Sequence, residues 1–128
     1  MSKLLYKELS ETVLGGVFKV HNHLGPGLLE SAYEGALVIE FRNQGLVVER
    51  QVVFPLYYSG ELAGAYVADM VVEGKLILEL KSVKELTGTM EAQLINYLRL
   101  SKVPVGYLVN FRNERVEWKR RVVSFSQD

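Results

Sequence analysis

Residues 66–82 read "YVADMVVEGKLILELKS", and the fold turns on how this stretch bends. Two runs rich in valine and leucine flank Glu73-Gly74, the pattern of two strands joined by a tight turn. In the second run Leu76, Leu78 and Leu80 share one face, while Ile77, Glu79 and Lys81 share the other. The leucine face is suited to packing on a helix. Glu79 and Lys81 stand about 7 Å apart along the strand, from the rise per residue. Taken alone, such a pair reads as a surface ion pair on a half-exposed strand, worth little.

Asp69 sharpens the reading, and the turn decides how. A two-residue Glu73-Gly74 turn sets Asp69 opposite Leu78, on the wrong face. A three-residue loop, 73–75, sets Asp69 opposite Glu79 and Val67 opposite Lys81. A bulge beside Asp69 has the same effect. In that register two carboxylates face each other with a lysine beside them. Like charges so placed are destabilising unless a cation bridges them. Mg²⁺ takes one or two carboxylates together with water and phosphate. A lysine next to such a metal can hold or activate a nucleophile.

Working outward, residues 7–24 carry Leu9, Val13, Val17, Val20 and Leu24 three to four apart, which predicts a helix. Gly15 and Gly16 weaken it and point to a close helix crossing. The next stretch, "HLGPGLLESAYEGALVIEF" (His23–Phe41), interrupts the pattern and restarts it. Gly25 suits a helix C-terminus and Pro26 the first turn of the next helix, predicted over 27–44 and closed by Gly45. Glu30 then falls near a positive helix end, sharing a face with Tyr33. "LVVERQVVFPLYYSG" and "ELAGAYVADMVVEG" predict two strands and "KLILELKSV" a third. Residues 89–102 return to helical spacing, with Gln93 and Tyr97 four apart on one face. Both side chains can hydrogen-bond a phosphate or a base. As structural residues, Tyr97 belongs to the core edge and Gln93 to the solvent. "VPVGYLVNF" and "RVEWKRRVVSF" close the chain as strands, with Asn113 in the turn between them. The order ααβββαββ predicts an α/β fold with a mixed sheet flanked by helices.

Composition narrows the function. The 128 residues suit one domain. Lys plus Arg and Asp plus Glu both number 15, so binding of nucleic acid must rest on a local site rather than on net charge. With no cysteine and only His21 and His23, thiolate metal sites are excluded and a structural zinc site is disfavoured. No apolar run reaches membrane-spanning length and no signal-peptide core opens the chain, so a cytoplasmic location is expected.

Asp69 followed by Glu79-Leu80-Lys81 resembles the D…ExK signature of the PD-(D/E)XK nuclease superfamily. Gln93-Leu-Ile-Asn-Tyr97 resembles the QxxxY motif of its RecB-like branch. Gly27-Leu-Leu-Glu30-Ser-Ala-Tyr33 matches the name-giving motif of the small bacterial GxxExxY family, assigned to the same superfamily. The motifs stand in the family's order over nearly the whole chain, and one departs: Ala68 replaces the proline of "PD". The resemblance implies a restriction-endonuclease-like core and a nuclease dependent on Mg²⁺ or Mn²⁺. In it Asp69, Glu79, Glu30 and the Leu80 carbonyl hold the metal, and Lys81 positions or deprotonates the attacking water. Gln93 and Tyr97 orient the nucleic-acid strand, and Tyr33 supports Glu30 or the substrate. DNA stands ahead of RNA as partner. "FRNERVEWKRR" offers Arg112, Arg115, Lys119, Arg120 and Arg121 to a phosphate backbone, although a solvated edge strand resisting aggregation explains it better. Self-pairing of an edge strand would give a homodimer. The alternatives are a non-catalytic nucleic-acid- or protein-binding module that retains the fold, and a structural partner in a larger complex.

Overall fold

The computed structural model of the protein describes residues 5–125. Three helices, α1 (Lys7–Leu24), α2 (Glu30–Asn43) and α3 (Gly88–Ser101), flank five strands: β1 (Val48–Tyr58), β2 (Glu61–Val72), β3 (Leu76–Lys81), β4 (Val105–Asn110) and β5 (Glu117–Val122). The strands lie side by side in chain order. Only β3 and β4 run parallel, because α3 carries the chain back between them; the other neighbours are antiparallel. The sheet is therefore mixed, in the order ααβββαββ expected from the sequence.

Each sheet face has its own core. Leu76, Leu78 and Leu80 pack with Val13, Val17, Leu37 and Phe41 of α1 and α2. Ile77 and Leu108 pack with Leu94 and Leu98 of α3 on the other side. The alternation in β3 thus divides as its pleat requires. The helix crossing falls at Gly16. A Cβ there would come within 2.7 Å of Phe41 Cε1, whereas one at Gly15 would meet nothing within 4 Å.

The second helix starts later than the sequence suggested. Gly25 caps α1 with φ +74° and Gly27 takes φ +95°, so the chain cannot resume the helix at Pro26. Leu29 is extended, and Glu30 is the first helical residue. Tyr33 fastens this corner. Its hydroxyl donates to the Gly25 carbonyl (2.6 Å) and accepts from the Leu28 N–H (3.2 Å). The corner aims the first turn of α2 across the sheet.

The β2–β3 turn takes the longer of its two forms. Glu73 and Gly74 both have positive φ, and Lys75 N–H closes on the Val72 carbonyl at 3.0 Å. The pairs are Val72–Leu76, Val71–Ile77 and Met70–Leu78. Three residues, 73–75, therefore lie in the loop, and the next pair in this register is Asp69 with Glu79.

Candidate active site

Regular pairing of β2 with β3 stops after Met70–Leu78, and the side chains take over. Glu79 Oε2 accepts the Asp69 N–H at 3.0 Å, while Asp69 Oδ2 accepts the Leu80 N–H at 2.8 Å. Two carboxylates thus fill the place of ladder hydrogen bonds where the strands part. The β1–β2 ladder skips the same level, between Arg50–Met70 and Val52–Ala68. Val48 and Met70 join the α1/α2 core, yet Val52 and Ala68 join the α3 core. The pleat reverses between them, at Gln51 and Asp69. Gln51 takes φ +50°, unusual for a residue with a side chain. This reversal places the backbone of Asp69 at a kink, where its side chain is half-buried rather than sealed into a face.

Glu79 is buried. Tyr66 Oη donates to its Oε2 at 2.8 Å. The Tyr97 ring stacks on Tyr66 with centroids 3.7 Å apart and planes 10° from parallel. Burial, then the neighbouring Asp69 carboxylate, push Glu79 up to about 7. Asp69 is also raised, first by burial and then by Glu34, against the lowering effect of the Leu80 N–H. Burial pushes the Tyr66 phenol up, and the Glu79 charge adds to this, so Tyr66 keeps its proton and remains a donor.

A cavity of about 170 Å³ opens between the start of α2 and the sheet. Glu30, Ser31, Glu34, Gln51, Asp69 and Leu80 line it. Glu34, one helical turn after Glu30, is nearly buried. Its carboxylate accepts from Arg50 (2.8 Å) and from Gln51 Nε2 (2.7 Å). Lys81 is half-buried and near enough to both Asp69 and Glu79 to lower each. It takes part in none of the ion pairs among the described residues.

The sequence-derived candidates therefore separate. Asp69, Glu79, Leu80 and Lys81 come together, and Glu30 reaches the same cavity from α2. Gln93 is exposed on α3, and Tyr97 reaches Glu79 only through Tyr66. Tyr33 lies elsewhere. It is fully buried and stacked on Phe111 at 4.4 Å, so its place is in the core and at the 25–28 corner, not on a substrate surface. The acidic side chains also do not form one cluster. Among the described residues no group of three or more Asp, Glu or His is arranged to hold a metal ion. Their chemistry nevertheless fits a hard divalent cation: the donors are oxygens, and carboxylates raised first by burial and then by a neighbouring carboxylate are stabilised by positive charge.

Residues 7–121 match the profile of the PD-(D/E)XK nuclease superfamily. The chain belongs to this superfamily. A search of curated proteins found no match. Among solved structures, the crystal structure of SSO0001 is similar, with a TM-score of 0.51 and 19% identity over 76% of this chain. The chain spans 54% of that protein's length, and at this identity the likeness concerns the fold. The three helices and five-stranded mixed sheet are consistent with the restriction-endonuclease-like α/β fold of this superfamily.

Three residues of this neighbourhood escaped the sequence reading. Glu34 had a signal, since it lies four residues after Glu30 and so on the same helical face. Gln51 and Tyr66 had none, because their importance comes from strand pairing and from a ring 31 positions further along the chain.

Proposed function

We propose that the protein is a metal-dependent nuclease that hydrolyses phosphodiester bonds, with Mg²⁺ or Mn²⁺ held by Asp69, Glu79 and the Leu80 carbonyl. The observation that carries this reading is the meeting of Asp69 and Glu79 at the parted strands, with Lys81 beside both. Nucleases of this superfamily usually use divalent metals. A bound ion would supply charge for the phosphoryl oxygens and lower the pKa of a bound water.

The chain's own residues do the rest. Lys81, in no ion pair among the described residues, orients the attacking water and holds or removes its proton. Tyr66 holds the Glu79 carboxylate through its hydroxyl, and Tyr97 holds Tyr66 through the stack. Glu30, exposed at the cavity mouth, and Glu34, braced by Arg50 and Gln51, flank the entrance. Gln93 contacts the nucleic-acid strand, DNA ahead of RNA. The Gly27…Glu30…Tyr33 and Gln93…Tyr97 spacings support placement among the GxxExxY proteins and the QxxxY branch. Gly27 and Tyr33 then serve to aim Glu30.

One observation favours the non-catalytic binding module. Asp69 Oδ2 and Glu79 Oε2 are both engaged by backbone N–H groups, which is a structural use for both acids. Melting curves separate the readings. For a nuclease, Mn²⁺ raises the melting temperature of wild type and of Lys81→Ala. Asp69→Asn responds much less, and Lys81→Ala loses about 10²-fold or more in cleavage. Wild type that ignores Mn²⁺ supports the module.

A further inference from the structure

The β1–β2 ribbon outruns the rest of the sheet. Its pairing continues from Val48–Val72 to Tyr58–Glu61, while β3 pairs with β2 only over Met70–Val72. The residues beyond Asp69 form a two-stranded arm. One face of the arm turns Phe54 and Tyr66 toward the α3 core. By alternation, the other face carries Val53, Pro55 and Tyr57 of β1 with Ala65 and Val67 of β2, and a register shift between Leu56 and Tyr57 sets Leu62 opposite Tyr57. It lies on the α1/α2 side of the sheet, the side of the acidic cavity, but the helices do not cover it. Val53 is 60% exposed, Tyr57 62%, Leu62 66% and Val67 43%.

A two-stranded ribbon with a bare apolar face is a poor structure in water. We propose that this face is a self-association surface, on which two copies of the chain pack arm against arm about a two-fold axis.

Charge selects the occupant. Glu61 is the one charged residue in 52–67, "VVFPLYYSGELAGAYV". A nucleic acid would need cations that the arm lacks. A second copy presents the same uncharged apolar face, and zero formal net charge opposes no approach. Area agrees. The six side chains leave roughly 500 Å² of apolar surface in water, at the upper end for a single patch on a monomer. Two copies would cover about 1,000 Å², the lower bound of a specific interface. Pairing of the arm through its β1 edge is opposed by Pro55. A proline inside a paired edge strand breaks the outer row of donors. The contact is therefore face to face, and of modest strength.

The test is sedimentation velocity of the full chain between about 1 and 300 µM, the range in which an interface of this size dissociates. The expected result is a rise from the 14.5 kDa monomer toward twice that mass. The double variant Tyr57→Lys, Leu62→Lys should stay monomeric throughout, with the circular dichroism of wild type. Both side chains lie outside the core, so the variant folds. Ile39→Lys alters a 62% exposed side chain on α2, away from the arm, and should dimerise as wild type does. Monomeric wild type at the highest concentration overturns the proposal, as does a dimer that survives the arm variant or that only Ile39→Lys dissolves. None of these outcomes depends on nuclease activity.

Discussion

Replacing Glu79 by glutamine should make the protein more stable at alkaline pH and hardly change it in acid. Glu79 titrates at about 7 in the fold against 4.5 for an ordinary glutamate. Below pH 4.5 the folded and unfolded chains both carry its proton, and no penalty exists. Between 4.5 and 7 the unfolded chain releases the proton while the folded chain keeps it, so stability falls as pH rises. Above pH 7 the folded carboxylate is ionised and the whole penalty applies, about 3 kcal/mol at this burial. Glutamine is neutral throughout and can still accept from Tyr66 Oη and the Asp69 N–H. The stability of Glu79→Gln relative to wild type should therefore climb by about 3 kcal/mol from pH 4.5 to pH 8. Urea unfolding in chelator, at half-unit steps of pH, measures it. A relative stability that does not change with pH, or a variant less stable than wild type at pH 8, would refute the argument from burial and charge.

Other consequences follow from single contacts. Tyr33→Phe removes the hydroxyl that ties Gly25 and Leu28 and should cost about 1–3 kcal/mol in urea unfolding; unchanged stability would show that the corner holds without it. Gly16→Ala should cost about 1–3 kcal/mol, because the Phe41 ring must move, whereas Gly15→Ala should stabilise the helix by up to about 1 kcal/mol. Equal effects of the two alanines in thermal melts would contradict the crossing. Tyr97→Phe keeps the ring over Tyr66 and should melt close to wild type. Tyr97→Leu loses the stack, about 1 kcal/mol, and with it the support of Glu79. If the two melt alike, the stack contributes nothing.

The sequence carried the fold because local signals agreed with it. The alternation of Leu76, Leu78 and Leu80 against Ile77 and Glu79 reports the two buried faces directly. The spacing of Val13, Val17 and Val20 likewise reports the helix stripe on the sheet. Glu73-Gly74 marked the turn, but its length was open, since a glycine serves a two- or three-residue loop equally. Pairing resolved it. The start of α2 was misplaced because proline at a first helical turn is common, and nothing local revealed that Gly27 would be left-handed. Tyr33 was ambiguous for a related reason. A tyrosine three residues after Glu30 shares its helical face, but here that face divides between core and cavity. The reversal of the pleat at Gln51 and Asp69 lay outside any period-two reading, which assumes that a strand keeps its faces. Asp69, Glu79 and Lys81 were visible as a motif, whereas the clamp of side chains on backbone N–H groups that joins them depends on where two strands part.

The most direct test of the central claim is cleavage of labelled single- and double-stranded DNA and RNA by wild type and Asp69→Asn, with Mn²⁺ or with chelator. The nuclease account predicts shortened products from wild type with Mn²⁺, none in chelator, and a loss of about 10²-fold or more in Asp69→Asn. Wild type that leaves every substrate intact, or an Asp69→Asn variant that cuts as fast as wild type, would contradict it.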